Sequence, residues 1–131
     1  MSQKKKILVV DDEIHIVHVI TIKFRNNGYD VISAENGKQA FEIACEQKPD
    51  IIVTDFQMPG ITGQQFVEKL RNNPETKDIP VIMLTAKSFS LDKKKQQQLE
   101  IECCLSKPFS PKELLKNVEE ILYEKALVGS A

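Results

Sequence analysis

The sequence predicts an α/β protein in which five parallel strands form one sheet with helices on both faces. Short, mostly apolar segments of strand length recur along the chain, amphipathic helical segments lie between them, and turn residues separate the two. This alternation requires crossover connections, which produce a parallel sheet. The 131 residues, of which 41% are hydrophobic and 28% charged, suit a single globular domain.

The predicted strands contain long apolar runs without polar alternation, as expected when helices cover both faces of a sheet. The third strand is a clear example, because the apolar run 51–53 leads to Asp55 and is stopped by Met58-Pro59-Gly60. The strands are predicted at 5–10, 29–34, 51–55, 79–85 and 101–105.

Helical periodicity and end signals predict five helices. They are expected at about 13–27, 35–47, 62–72, 90–100 and 110–125, followed by a frayed tail at 126–131. The first is expected to carry its apolar residues at near-helical spacing: Ile14, Val17, Ile20, Ile22 and Phe24. The fourth has few apolar positions and should be the most weakly anchored.

The charge and cysteine content exclude several classes of function. A net charge of -1 gives no general attraction to nucleic acid or anionic membranes. No apolar stretch could span a bilayer, and the N-terminus lacks a signal-peptide core, so we expect a cytoplasmic protein. The three cysteines, which include the adjacent pair Cys103-Cys104, are expected to be reduced and mostly buried thiols.

Residues with distinct chemistry follow four of the five strands at the edge where parallel strands end. Carboxylates that lie close together repel one another unless a cation lies between them, and hard oxygen ligands suit Mg²⁺. A carboxylate beside such a metal can attack phosphorus, and an ammonium and a hydroxyl can stabilise the phosphoryl oxygens. These residues are Asp11, Asp12, Asp55, Thr85 and Lys107.

Each of these residues also has an ordinary structural explanation. Asp55 could satisfy loop amides, and Lys107 could be a surface lysine. The acids at 11–13 could cap the first helix, although capping normally uses one side chain. The joint presence of all of them at strand ends favours the functional interpretation.

From Lys5 to about Glu124 the chain resembles the receiver domain of two-component response regulators. The resemblance implies a flavodoxin-like, three-layer (βα)5 sandwich. The matching segments are ILVVDD at 7–12, AENG at 34–37, DFQMPG at 55–60, PVIMLTA at 80–86 and KPF at 107–109.

The resemblance also implies a role for individual residues. Asp55 would be the phosphoacceptor, and Thr85 and Lys107 would be the hydroxyl and the lysine that sense the phosphoryl group. The implied Mg²⁺ ligands are Asp12, Asp55, the backbone carbonyl of Gln57 and, partly through water, Asp11.

Two departures from the family pattern affect the expected readout. Cys104 stands where the family usually has an aromatic residue that rotates on activation. Glu100-Ile101 replaces the usual small Gly-Ala turn, so the fourth helix and the fifth strand are expected to be joined differently.

The function predicted from these residues is a phosphorylation-controlled signalling switch. A histidine kinase or phosphotransfer protein would phosphorylate Asp55 with Mg²⁺, and the face of the fourth helix, fifth strand and fifth helix would contact a downstream protein or a second copy. We expect a stand-alone, chemotaxis-type receiver domain over 1–131 with its core at 5–124; the alternative is a receiver excised from a larger protein. It would catalyse only its own phosphorylation and dephosphorylation, with no direct nucleic acid or membrane partner.

Other functions are less consistent with the sequence. A phosphorylation-independent interaction module would not need the acids, threonine and lysine, although Cys104 favours it weakly. A Mg²⁺-dependent phosphohydrolase would need a general acid near Asp55, where Gln57 stands instead. A flavin protein would need a different phosphate loop after the first strand. His15 and His18 are predicted to be surface residues.

Overall fold

The computed structural model describes residues 4–58, 60–86 and 92–129, with only the backbone of 128 and 129. Its strands form a single parallel sheet in the order β2-β1-β3-β4-β5. The strands are β1 (Lys6–Val10), β2 (Asp30–Ala34), β3 (Ile51–Asp55), β4 (Val81–Thr85) and β5 (Ile101–Ser106). The predicted fold class is confirmed.

The helices alternate with the strands and cover both faces of the sheet. They are α1 (Ile14–Arg25), α2 (Gly37–Gln47), α3 (Gly63–Arg71), α4 (Lys93–Gln98) and α5 (Pro111–Gly129). Helices α1 and α5 pack on one face, and α2 and α3 pack on the other. In the described part of the chain, no helix is long and apolar enough to cross a membrane.

The central strands bury side chains on both faces, which explains their lack of polar alternation. Ile7 and Val9 of β1 belong to the core under α1 and α5, whereas Leu8 and Val10 belong to the core under α2 and α3. All five residues of β3 are buried. The end of β3 is therefore held rigidly between β1 and β4.

Helix α1 forms as predicted and buries only some of its apolar residues. Ile20 and Phe24 are buried, and Val17 packs partly against the same core, but Ile14 is 74% and Ile22 49% exposed. Ile14 and Ile22 are eight residues apart and so lie on one face of the helix, which points away from the sheet.

Helix α5 is longer than predicted, and α4 is shorter. Helix α5 continues past Lys125, its predicted end, to Gly129. The reason is that Ala126 and Leu127 are strong helix formers with no glycine or proline before Gly129. The described part of α4 begins at Lys93 and contains no buried residue, as predicted for a weakly anchored helix; residues 87–91 lie outside the described residues.

The cysteines are free thiols, but each is only partly buried, contrary to the expectation of mostly buried side chains. Cys103 packs towards the core under α1 and α5, and Cys104 towards the opposite core. Both lie on β5, which is the edge strand of the sheet and is covered less completely than the central strands. Burial raises the pKa of Cys103 to about 11 and also raises that of Cys104.

Candidate functional site

The candidate site lies at the carboxyl edge of the sheet, where β1, β3, β4 and β5 end side by side. Asp55 is the last residue of β3 and is only 6% exposed. Asp11 follows β1, Thr85 ends β4, and Lys107 follows β5. The structure thus brings the predicted strand-end residues to one edge, with Asp55 between the contributions of β1 and β4.

Three carboxylates gather beside the end of β3. Asp11, Asp12 and Asp55 each place an oxygen within 4.8 Å of the others; Asp11 and Asp55 are buried and Asp12 is exposed. Burial raises the pKa of Asp55 to about 6, and the negative charge of Asp11 adds to this effect. Burial also raises the pKa of Asp11.

A hard divalent cation fits this group. The three oxygens are close enough to share one ion, and carboxylate oxygens are the ligands that Mg²⁺ prefers. Positive charge between the carboxylates would also relieve the cost of burying Asp11 and Asp55 in ionised form.

The ammonium of Lys107 contacts three carboxylates. Its Nζ lies 3.0 Å from Asp11 Oδ2, 3.0 Å from Glu13 Oε1 and 3.3 Å from Asp55 Oδ1. Burial alone would lower the pKa of Lys107, but its hydrogen bonds to Glu13 and Asp11 and the charges of Asp11 and Asp55 raise it above its usual value. Lys107 is therefore a fixed positive charge beside the Asp55 carboxylate.

Thr85 joins the ends of β4 and β5. Its hydroxyl donates to the carbonyl of Leu105 across 3.5 Å, and its own carbonyl accepts from the backbone N–H of Lys107 at 2.7 Å. The side chain is almost fully buried. Thr85 thus connects the strand beside Asp55 to the segment that carries Lys107.

Gln57 lies on the outer side of the acidic group, in the loop after β3. It lines an open cleft of about 490 Å³ together with Asp12, Met58 and Thr62. Gln57 itself is exposed. The loop after β3 therefore stands next to Asp12, as expected if the Gln57 carbonyl contributes to a cation site.

The start of α3 packs tightly against the Asp55 backbone. The N–H of Gly63 donates to the carbonyl of Phe56 at 2.8 Å, and a Cβ at position 63 would overlap the Asp55 carbonyl oxygen. Thr62 and Gln65 form a capping box that fixes the first turn of α3. Sequence reasoning did not assign Gly63 a role, although a glycine just after a helix cap is a signal of close backbone approach.

The acids before α1 do not act as simple helix caps. Asp11 Oδ1 accepts the Glu13 N–H at 2.9 Å, while the Glu13 side chain makes no capping hydrogen bond and instead contacts Lys107. The proximity of Glu13 to Lys107 was not predicted. The sequence feature that could have indicated this contact is that Glu13 is the third of three consecutive acids.

The two histidines lie outside the acidic group. His15 and His18 are both exposed on α1, as predicted for surface residues. His15 lines an open cleft of about 520 Å³ beside Lys107 whose walls are mainly apolar side chains of α1 and the loop after β5.

Comparisons with known proteins agree with this geometry. The family model described as the response regulator receiver domain matches residues 7–119. The chain is 37% identical over 118 residues to the phosphate regulon transcriptional regulatory protein PhoB of Pseudomonas aeruginosa, covering 90% of this chain and 52% of the relative. It is 41% identical over 118 residues to the alkaline phosphatase synthesis transcriptional regulatory protein PhoP of Bacillus subtilis, covering 90% of this chain and 48% of the relative. The chain spans about half the length of these curated relatives.

Solved structures give the same result. The chemotaxis response regulator CheY4 of Vibrio cholerae superimposes with a TM-score of 0.83 at 32% identity, covering 91% of this chain and 99% of that one. The receiver domain of the Francisella response regulator 1452 superimposes with a TM-score of 0.82 at 34% identity, covering 94% of this chain and 99% of that one.

Proposed function

This chain belongs to the family of response regulator receiver domains, and from that premise we propose that it is a signalling switch phosphorylated on Asp55. The phosphoryl donor would be a histidine kinase or a phosphotransfer protein. The observation that carries the proposal is the placement of a buried carboxylate, Asp55, 3.3 Å from the ammonium of Lys107 and beside Asp11 and Asp12.

In the proposed reaction, a carboxylate oxygen of Asp55 attacks the phosphorus of a phosphohistidine. The new O–P bond forms as the P–N bond breaks, and the histidine nitrogen keeps the electron pair of that bond. The other ring nitrogen of the phosphohistidine carries a proton, so the leaving group is a neutral imidazole. The product is an acyl phosphate on Asp55 and a free imidazole on the donor. Because β3 is fixed on both sides by neighbouring strands, Asp55 is held in place for an in-line approach.

Positive charge and hydrogen-bond donors around Asp55 would stabilise the transferring group. Mg²⁺ held by Asp11, Asp12, Asp55 and the carbonyl of Gln57 would reduce the repulsion between the carboxylate and the phosphoryl oxygens. Lys107 would pair with one phosphoryl oxygen, and the Thr85 hydroxyl would turn from the Leu105 carbonyl to donate to another.

This rotation of the Thr85 hydroxyl would transmit the phosphorylation state to the output surface. The Leu105 carbonyl and the backbone of Lys107 are both bonded to Thr85, so a change at Thr85 acts on β5 directly. The proposed output surface is the face of α4, β5 and α5, which would bind a downstream protein or, when phosphorylated, a second copy of this chain. With Cys104 in place of an aromatic residue, recognition would depend on backbone and loop shifts instead of a rotating ring.

The proposal places the whole chain, 1–131, in one receiver domain that works in the cytoplasm. Its chemistry would be limited to its own phosphorylation and dephosphorylation. It would make no direct contact with nucleic acid or membrane, and signalling would proceed through protein contacts.

Intact mass spectrometry after incubation with acetyl phosphate tests the proposal. The wild type should gain one phosphoryl group in the presence of Mg²⁺ and none in EDTA. Asp55→Asn should gain none, whereas the control Asp30→Asn, at an exposed position at the start of β2, should behave like the wild type. A wild-type protein that binds Mg²⁺ but is never phosphorylated would instead support a phosphorylation-independent interaction module.

A further inference from the structure

Glu13 lies beside the acidic group, but the proposed reaction uses it neither as a metal ligand nor as the phosphoacceptor. It precedes α1, yet its side chain makes no capping hydrogen bond among the described residues. Its carboxylate is 59% exposed and reaches across to Lys107 Nζ at 3.0 Å. This contact joins the start of α1 to a residue 94 positions along the chain.

The Lys107 ammonium has three N–H donors, and the structure provides three carboxylates to accept them. Asp11 and Glu13 lie at 3.0 Å and Asp55 at 3.3 Å from Nζ. The hydrogen bonds to Asp11 and Glu13 hold Nζ at its 3.3 Å distance from Asp55 Oδ1. A lysine side chain held at one point only would sample many rotamers and lose that position.

Of the three partners, Glu13 alone lies outside the acidic group. Asp11 and Asp55 both place an oxygen within 4.8 Å of Asp12, so their charges are shared with whatever that group binds. The Glu13 carboxylate is committed to Lys107. It lies at the start of α1, on a different element from Asp55, which ends β3.

We propose that Glu13 is a positioning residue that holds Lys107 in line with Asp55 through phosphoryl transfer. The proposal rests on the proposed function, because it gives Glu13 a role at the same acceptor. When a phosphoryl oxygen replaces Asp55 Oδ1 as the third acceptor of Lys107, the hydrogen bonds to Glu13 and Asp11 keep Nζ in place.

Two variants of Glu13 separate the effect of its negative charge from the effect of its side-chain length. Glu13→Gln keeps the length of the side chain but removes the charge, and Glu13→Asp keeps the charge but is one methylene too short for the 3.0 Å contact. The control Glu35→Gln removes an exposed charge from the same edge of the sheet, after β2. All three proteins are compared with the wild type for the rate of phosphorylation by acetyl phosphate at saturating Mg²⁺.

The account predicts that both Glu13 variants lower the maximal rate at saturating donor by about three- to fivefold, which corresponds to a half-exposed ion pair. Glu35→Gln should keep the wild-type rate. In a Lys107→Gln background, Glu13→Gln should cause no further loss, since the group that Glu13 positions is gone.

A second readout needs no metal and no phosphoryl donor. Thermal unfolding in EDTA is measured for the wild type, Glu13→Gln, Lys107→Gln and the double variant. Glu13→Gln should lower the Tm by about 1 to 3 °C when Lys107 is present and leave it unchanged when Lys107 is absent.

The outcomes distinguish the two proposals. If the wild type gains no phosphoryl group, the proposed function fails, and the role of Glu13 fails with it. If the wild type is phosphorylated but both Glu13 variants keep its rate, or if Glu35→Gln slows the reaction as much as they do, only the role of Glu13 is overturned. Additive effects of Glu13→Gln and Lys107→Gln in both readouts would overturn it as well.

Discussion

The backbone N–H of Lys107 donates to the carbonyl of Thr85 across 2.7 Å, so the residue that ends β4 is hydrogen-bonded to the residue that follows β5. Asp55 lies on the neighbouring strand, 3.3 Å from the Lys107 ammonium. Lys107 therefore connects the Asp55 carboxylate to Thr85 at the end of β4. A change at any of them acts on the start of the segment that leads into α5.

Asp55→Asn should stabilise the metal-free protein at neutral pH. The pKa of Asp55 is raised to about 6 from 3.8, so the folded state binds more protons than the unfolded state between these values. The free energy of unfolding therefore falls as pH rises from about 4 to 6, by about 1 to 3 kcal/mol from this group. Urea unfolding in EDTA at pH 4.5 and pH 7.5 measures the difference between the two proteins.

The expected result is that Asp55→Asn gains stability relative to the wild type as the pH is raised. Asp30→Asn, at an exposed position, serves as the control and should show no such gain. A constant difference between Asp55→Asn and the wild type at both pH values would contradict the assignment of a buried, charged carboxylate.

Gly63→Ala should destabilise the fold and slow the proposed phosphorylation of Asp55. A Cβ at this position would lie 2.9 Å from Phe56 Cα and overlap the Asp55 carbonyl oxygen, and both of these are backbone atoms that cannot rotate away. We expect a loss of about 1 to 3 kcal/mol in the free energy of unfolding and a slower phosphorylation of Asp55. Chemical denaturation and the acetyl phosphate rate provide the two measurements, with Gln64→Ala in the same turn as the control.

Glu100→Gly should stabilise the protein. Glu100 adopts a φ of +54° at the turn between α4 and β5, a conformation that costs a residue with a Cβ but not glycine. We expect a gain of about 0.5 to 1 kcal/mol in urea unfolding. Glu100→Ala keeps the Cβ and should not show the gain; equal effects of the two substitutions would mean that the side chain, not the backbone, is responsible.

Arg71 should be important for the position of α4. Its Nε donates to the carbonyl of Leu99 at 2.7 Å, and its Nη1 donates to those of Lys77 and Ile79 at 2.9 and 2.8 Å. Arg71→Met would leave these carbonyls, two of which accept in partly buried hydrogen bonds, without a charged donor, at a cost of about 2 to 4 kcal/mol in unfolding free energy. Amide hydrogen exchange at 99–101 should rise more than exchange in β1.

The matched control for Arg71→Met is Arg25→Met. Arg25 is exposed and donates to the Val31 carbonyl at 3.5 Å. Arg25→Met should lower the free energy of unfolding far less than Arg71→Met does and should leave amide hydrogen exchange at 99–101 unchanged. Similar losses in both variants would show that the network around Arg71 contributes little.

The sequence was sufficient to predict the fold and the residues at the strand ends, because both follow from local patterns. An apolar run followed by Asp55 already specifies a buried strand with a carboxylate at its end, and parallel strands bring such ends together. The end of α5 was predicted too early, at about Lys125, because no stop signal stands there and helix propensity extends the helix to Gly129.

Side-chain contacts between distant segments could not be predicted in the same way. The Glu13 carboxylate meets Lys107 only after β1 and β5 have taken their places in the sheet. Arg71 finds the carbonyl of Leu99, 28 residues away, for the same reason. The exposure of Ile14 depends on how α1 is rotated on the sheet, which the helical period alone does not determine.

The central claim is that Asp55 is the phosphoacceptor, and the most direct test is to locate the phosphoryl group. After incubation with acetyl phosphate and Mg²⁺, borohydride reduces an aspartyl phosphate to homoserine, which tandem mass spectrometry assigns to one residue. The account predicts homoserine at position 55, formed only when both donor and Mg²⁺ are present. Modification at Asp11, Asp12 or a histidine instead, or none in a protein that binds Mg²⁺, would contradict it.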